Sequence, residues 1–227
     1  MTDFSLTHRV IQPSAGTPPH PGLLLLHGRG ADETDLLPLG PAIDPRLFVV
    51  SARAPFHFPY GGYGWYALAP EGVGYPDPST LNQSLELLQT LLDQILAACP
   101  IDAARVYAAG FSMGSVMAGT LGLLIPERVA GAAILSGYLP IHSDINWRPN
   151  DATGHPYFQA HGTLDDVIPV RFGRETRDYL LQTPVDLTYR EYREGHAIGG
   201  EELTDLRAWM KGVLDDTGDP SHEVSSP

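Results

Sequence analysis

Lysine is almost missing from this chain: of 14 basic residues only Lys211 is a lysine, and 27 acidic residues leave a net charge of −13. No arginine-rich run interrupts that balance. An acidic surface without a basic patch repels phosphate backbones and anionic bilayers, so nucleic acid is excluded as a partner and stable membrane insertion is not expected. Cysteine is nearly absent too. Cys99 is the only one, which rules out an intramolecular disulfide. Standing before Pro100 at the end of a predicted helix, it reads as a plain structural thiol. Long apolar runs are also missing; the stretch 23–26 is far shorter than the ~20 residues that a spanning helix needs. The first residues, Met1-Thr2-Asp3-Phe4-Ser5, show neither a basic nor an apolar leader region. The expected location is the cytoplasm.

What is present is an alternation of strands and helices. Short apolar runs at 23–26, 47–50, 106–109, 132–135 and 157–160 are bounded by Gly or polar residues. Uninterrupted apolar runs of this length suit strands buried on both faces. Between them Leu81, Leu85, Leu88, Leu92, Ile95, Leu96 and Cys99 recur at helical spacing, with Ser79 or Thr80 available as a cap. Further helices are predicted from Ser112 to about Ile125, after Pro169, and from about Glu201 to Leu214. Such alternation implies a mostly parallel sheet covered on both faces: one α/β domain over 1–214, with no large cap domain. The polar stretch 215–227 reads as a disordered tail. Two long loops, 55–78 and 136–155, remain as candidate functional segments.

Gly110-Phe111-Ser112-Met113-Gly114 fits G-x-S-x-G between a predicted strand and a predicted helix. That is the setting of a nucleophile elbow, where a tight turn raises a serine hydroxyl above the sheet. A serine needs a base, and the base needs a carboxylate to orient it. His196, in a loop after the β-like stretch 185–192, is the best placed downstream histidine. His161 ends a strand but precedes the acid candidates. Those are Asp165 and Asp166, between which residue chemistry alone does not choose. Two backbone N–H groups are needed to hold an oxyanion. Met113 follows the nucleophile, and Arg29 lies in His27-Gly28-Arg29-Gly30 after an early strand. Gly28-Arg29-Gly30 also begins a dinucleotide fingerprint, but Glu33 replaces its third glycine. No Cys/His cluster suggests a metal, and the chemistry requires no cofactor.

Taken together, Leu26-His27-Gly28-Arg29-Gly30-Ala31, the elbow, Leu135-Ser136-Gly137-Tyr138-Leu139-Pro140, the run 161–169 and Gly195-His196 resemble the phospholipase/carboxylesterase family of α/β-hydrolases, which includes acyl-protein thioesterases. The resemblance implies an α/β-hydrolase fold, Ser112 as nucleophile, His196 as base and Arg29 and Met113 as oxyanion donors. It selects Asp165 as the acid, through the family's H-G-x-x-D spacing from His161. It also implies Trp65, in Gly64-Trp65-Tyr66, and Leu139 as substrate-lining residues. Acyl-protein thioesterases carry Gln after the serine and an apolar residue where Arg29 stands; here the chain looks more like the bacterial carboxylesterase branch. The expectation is hydrolysis of small to medium carboxylic esters. A thioesterase or lysophospholipase using the same triad is the alternative, and a non-catalytic binding protein is a more distant one. The expected partner is a small-molecule ester, and a homodimer is left open.

Overall fold

The computed structural model describes residues 4–59 and 61–216. Its core is a seven-stranded sheet. The strands are β1 (His8–Ile11), β2 (His20–Leu26), β3 (Phe48–Ala52), β6 (Ile101–Phe111), β7 (Gly131–Leu135), β8 (Pro156–Gly162) and β9 (Asp186–Tyr192). β4 (Phe56–His57) and β5 (Tyr63–Gly64) form a separate small hairpin. The order across the sheet is β1-β3-β2-β6-β7-β8-β9, with β1 antiparallel and every other pair parallel.

Both faces of the strands are buried, as their continuous apolar character predicts. Along β2, Leu24 and Leu26 enter one core while Leu23 and Leu25 enter the other. β6 divides Val106 and Ala108 from Tyr107 and Ala109 in the same way. Successive side chains on a strand point oppositely, so a helix layer is needed on each side. α2 (Pro78–Ala98), α3 (Met113–Leu124) and α4 (Val170–Leu180) cover one face. α1 (Leu39–Ile43) and α5 (Gly200–Asp215) pack together on the other. α2 buries one stripe, with Leu81, Leu85, Leu88, Leu92 and Ile95 all facing the core, whereas α3 is buried along nearly its whole length. Each such side chain gains roughly 1.5–3 kcal/mol by leaving water.

Several boundaries differ from the sequence expectation. Asp77, rather than Ser79 or Thr80, caps α2: its carboxylate accepts the Thr80 N–H at 2.9 Å, and Pro78 occupies the first turn. Proline tolerates that place because no N–H is required there. β6 begins five residues before the apolar run, through the solvated segment 102–105. β1 and α1 were not foreseen; one is a half-buried edge strand and the other holds Gly40 and Pro41. The loop 55–78 contains the β4–β5 hairpin, and the loop 136–155 contains a 3₁₀ turn at Pro149–Ala152. α5 extends through Asp215, whose carboxylate binds Arg46 and Lys211. The remainder of the expected tail, 217–227, lies outside the described residues.

No helix among the described residues is long and apolar enough to cross a membrane. The arrangement is the α/β-hydrolase fold, and the described residues include no large cap.

Candidate active site

β6 ends at Phe111, α3 begins at Met113, and Ser112 alone makes the turn between them. Its φ of 55° lies in the left-handed region that side chains avoid, at a cost of order 1–3 kcal/mol. The turn is held by the Ser112 N–H on the Leu135 carbonyl at 2.9 Å and by the Ser115 hydroxyl on the Ser112 carbonyl at 2.6 Å. Only glycine fits on either side. A Cβ on Gly110 would run into the Gly114 carbonyl, and one on Gly114 into the Leu26 carbonyl at the end of β2.

The neighbouring strand ends bring His196 and Asp165 to this hydroxyl. His196 Nε2 lies 2.8 Å from Ser112 Oγ, and His196 Nδ1 lies 2.7 Å from Asp165 Oδ2. Nδ1–H donates to the carboxylate, which leaves the Nε2 lone pair for the serine proton. The other oxygen, Asp165 Oδ1, accepts the N–H groups of Val167 and Ile168 at 2.9 and 2.8 Å. Asp165 is buried and Asp166 is exposed, so the turn itself separates two residues that are chemically alike. Thr163 N–H and Leu164 N–H donate to the Tyr192 and Glu194 carbonyls, tying the loop of Asp165 to the loop of His196. His161 is not a rival base. It is fully buried, and its Nε2–H donates to the Ile168 carbonyl at 2.8 Å. Burial lowers its pKa, so it stays neutral and closes the loop that presents Asp165.

On the other side of Ser112 the chain around Arg29 is braced from beneath. His27 Nδ1–H donates to the Gly28 carbonyl at 2.7 Å, and His27 Nε2 accepts the Ala54 N–H at 3.1 Å. Both nitrogens are used by a neutral ring, and burial keeps it neutral. Gly30 N–H donates to the Tyr63 carbonyl and Tyr63 N–H to the Ala31 carbonyl, lacing the loop to β5. Glu33, buried behind it, accepts two guanidinium N–H bonds from Arg53. Among the described residues, the main-chain N–H groups of Arg29 and Met113 take part in no hydrogen bond of the fold. Both residues line the cleft beside Ser112.

That cleft is small, about 80 Å³, and largely apolar. Trp65 and Leu139 do not line it. Trp65 is fully buried: its indole N–H donates to the His27 carbonyl at 2.9 Å, its main-chain N–H to Met113 Sδ at 3.2 Å, and its carbonyl accepts the Ser84 hydroxyl. Leu139 packs with Leu123, Ile134 and Tyr157, and its N–H donates to Thr176. The adjacent residues Tyr66 and Tyr138 line the cleft instead, with their hydroxyls 3.3 Å apart. Burial holds both phenols above the usual range, hence neutral. Neighbours in extended chain face opposite ways, so a one-residue error exchanges core for cleft. Larger hollows, one of about 380 Å³ beside Tyr107 and Trp209, lie away from Ser112. No group of three or more His, Cys, Asp or Glu among the described residues is placed to hold a metal.

The Phospholipase/Carboxylesterase family profile matches residues 6–214. A probable carboxylesterase, SOBER1-like, of Arabidopsis thaliana is 30% identical over 172 residues, covering 73% of this chain and 65% of that protein. The match thus spans just under two thirds of that relative's length. Acyl-protein thioesterase 1 of Mycosarcoma maydis is 29% identical over 231 residues, covering 90% of this chain and 96% of that one. Among solved structures, esterase PE8 superposes with a TM-score of 0.78 at 26% identity, over 92% of this chain and 99% of that one. The Bacillus cereus carboxylesterase reaches 0.81 at 24% identity, over 91% and 94%, a likeness of fold.

Proposed function

The chain belongs to the phospholipase/carboxylesterase family, and from that premise we propose that it is a serine hydrolase of carboxylic esters with small to medium acyl chains. The observation that carries the proposal is the continuous relay from Ser112 Oγ through His196 to Asp165, at 2.8 and 2.7 Å. Ser112 Oγ attacks the ester carbonyl carbon while its proton passes to His196 Nε2. The carbonyl oxygen, now negative, is held by the N–H groups of Arg29 and Met113. Asp165 fixes the imidazole tautomer and stabilises the imidazolium. Collapse expels the alcohol, which takes the proton from His196. A water then gives a proton to His196 and attacks the acyl-enzyme, and Ser112 recovers its proton as the acid leaves. No step calls on a cofactor.

The acyl range rests on the size of the cleft. By the same measure a single water occupies about 10–15 Å³, so about 80 Å³ suits a short acyl group and not a fatty tail. Thioester hydrolysis is the second reading. It is favoured by the acyl-protein thioesterase relative matched over 90% of this chain, and the same relay serves it.

Initial rates on p-nitrophenyl esters from acetate to palmitate, run beside Ser112→Ala, test the proposal. The expected profile peaks at short chains, and Ser112→Ala lowers kcat by at least ~10³-fold. A peak at palmitate would overturn the acyl range. A rate that survives Ser112→Ala would overturn the assignment of the nucleophile.

A further inference from the structure

Arg29 has a side chain that the proposed chemistry leaves unused. Nine of the basic residues, Arg9, Arg46, Arg53, Arg128, Arg148, Arg174, Arg177, Arg190 and Lys211, have a carboxylate within ion-pair distance. Arg29 has none among the described residues, as is also true of Arg105, Arg171, Arg193 and Arg207, although acidic side chains outnumber basic ones by 27 to 14; of these five, Arg29 is the one that lines the cleft. Instead its guanidinium carbon rests 4.8 Å above the centre of the Phe58 ring. Phe58 in turn packs at Gly64 of β5, close to the Met113 sulfur that faces the same glycine. Arg29 is exposed, and it lines the cleft beside Ser112 among Leu68, Val73, Val167 and the two buried phenols.

A cation kept free of carboxylates, stacked on a ring that limits its motion, and set at the mouth of an apolar cleft is organised to receive an anion. Stacking leaves the N–H edge of the guanidinium available, and its planar fork matches the two oxygens of a carboxylate. The surrounding apolar side chains offer no competing partner, and the phenols stay neutral. The overall charge of −13 opposes an anionic substrate at long range. That repulsion is screened beyond about 8 Å at physiological salt, whereas a direct contact with Arg29 lies inside that distance and is only partly screened. We propose that the Arg29 guanidinium is a specificity-determining group that selects esters bearing a free carboxylate near the scissile bond, such as half-esters of dicarboxylic acids. This rests on the serine-esterase reading of the same site, for which the Arg29 main chain and side chain do separate work.

The test compares two matched substrate pairs, all rates net of the Ser112→Ala blank. One pair places the charge on the acyl side: p-nitrophenyl hydrogen glutarate against p-nitrophenyl methyl glutarate. The other places it on the alcohol side: carboxymethyl butyrate against its methyl ester. The readout is the ratio of kcat/KM for the anionic over the neutral member. In at least one pair the native ratio should exceed unity by about tenfold or more and shrink as salt is raised. Arg29→Met should bring that ratio to one or below, and Arg29→Lys should retain part of it. A native ratio near one in both pairs, or a preference that survives Arg29→Met, overturns the inference while leaving the esterase reading intact. Absence of Ser112-dependent hydrolysis on all four substrates overturns the esterase reading instead.

Discussion

Two adjacent strands of the sheet end in the same way and come to different uses. β6 runs into Ser112 and β7 into Ser136, and both serines have positive φ, 55° and 50°. Each donates its N–H at 2.9 Å to a carbonyl on the next strand over, Ser112 to Leu135 and Ser136 to Ala160. Beyond that the two ends diverge. Ser112 opens a helix and meets His196, whereas the Ser136 hydroxyl is fully buried with no partner among the described residues. After Ser136 the chain turns to send Tyr138 into the cleft. Backbone strain therefore marks a strand end where the chain must turn sharply, and the proposed nucleophile differs from Ser136 in the histidine that reaches it from another loop. β8 and β9 supply that second feature to one serine and not to the other.

Removing what orients the base should make Ser112 nearly as idle as Ser136. Asp165→Asn is expected to lower kcat on p-nitrophenyl butyrate by roughly 10³–10⁴-fold, because the amide no longer fixes the productive tautomer. Asp166→Asn should stay within about twofold; equal losses in the two variants would break the distinction drawn between them.

The loop that carries His196 leads into α5, and Glu202 in its first turn is buried at 1% exposure with Oε1 unpartnered among the described residues. Burial pushes its carboxyl up to about 7 from an ordinary 4.5, against a smaller opposing pull from the Gly199 N–H. The folded chain thus binds more protons than the unfolded one between those values. Stability is full below the ordinary value and declines as pH rises through about 7. Glu202→Gln should flatten that decline and raise unfolding free energy at pH 8 by on the order of 3 kcal/mol, read from urea unfolding at pH 5 and 8. An unchanged slope would show that Glu202 does not titrate as its burial requires.

The smallest effect is expected at the second strand end. Ser136→Gly removes a side chain from a left-handed position and gives up no hydrogen bond seen among the described residues. It should raise stability by up to about 1 kcal/mol in thermal melts and leave kcat within twofold. A large loss of activity would mean that the Ser136 hydroxyl takes part in the chemistry, and the contrast with Ser112 would fail.

Much of this molecule was legible in its residues. The run 23–26 had to be a strand buried on both faces, since four consecutive leucines leave no polar side for water. Gly110 and Gly114 around Ser112 specified the elbow because no other side chain fits between β6, α3 and β2. The weak signals were those of short or mixed elements. β1 has four half-solvated residues, and α1 is five residues long with a glycine and a proline inside it. Neither repeats long enough to display a period. The misplacement of Trp65 and Leu139 has a similar origin, because the loops that hold them have no periodic partner to say which way a side chain turns.

The sequence by itself determined the alternation of the main strands and helices, the mostly parallel sheet, the elbow that presents Ser112 and the pool of candidate bases and acids, because these follow from local periodicity and from turns that only glycine permits. Which aspartate faces His196, a choice residue chemistry left open and only the family resemblance made, which aromatic enters the cleft, and which arginines, Arg29 among them, have no acid at ion-pair distance among the described residues were decided by tertiary structure. Each depends on the direction of one side chain relative to loops from strands far apart in the chain, and that direction is set only when β6, β8 and β9 stand side by side in the sheet.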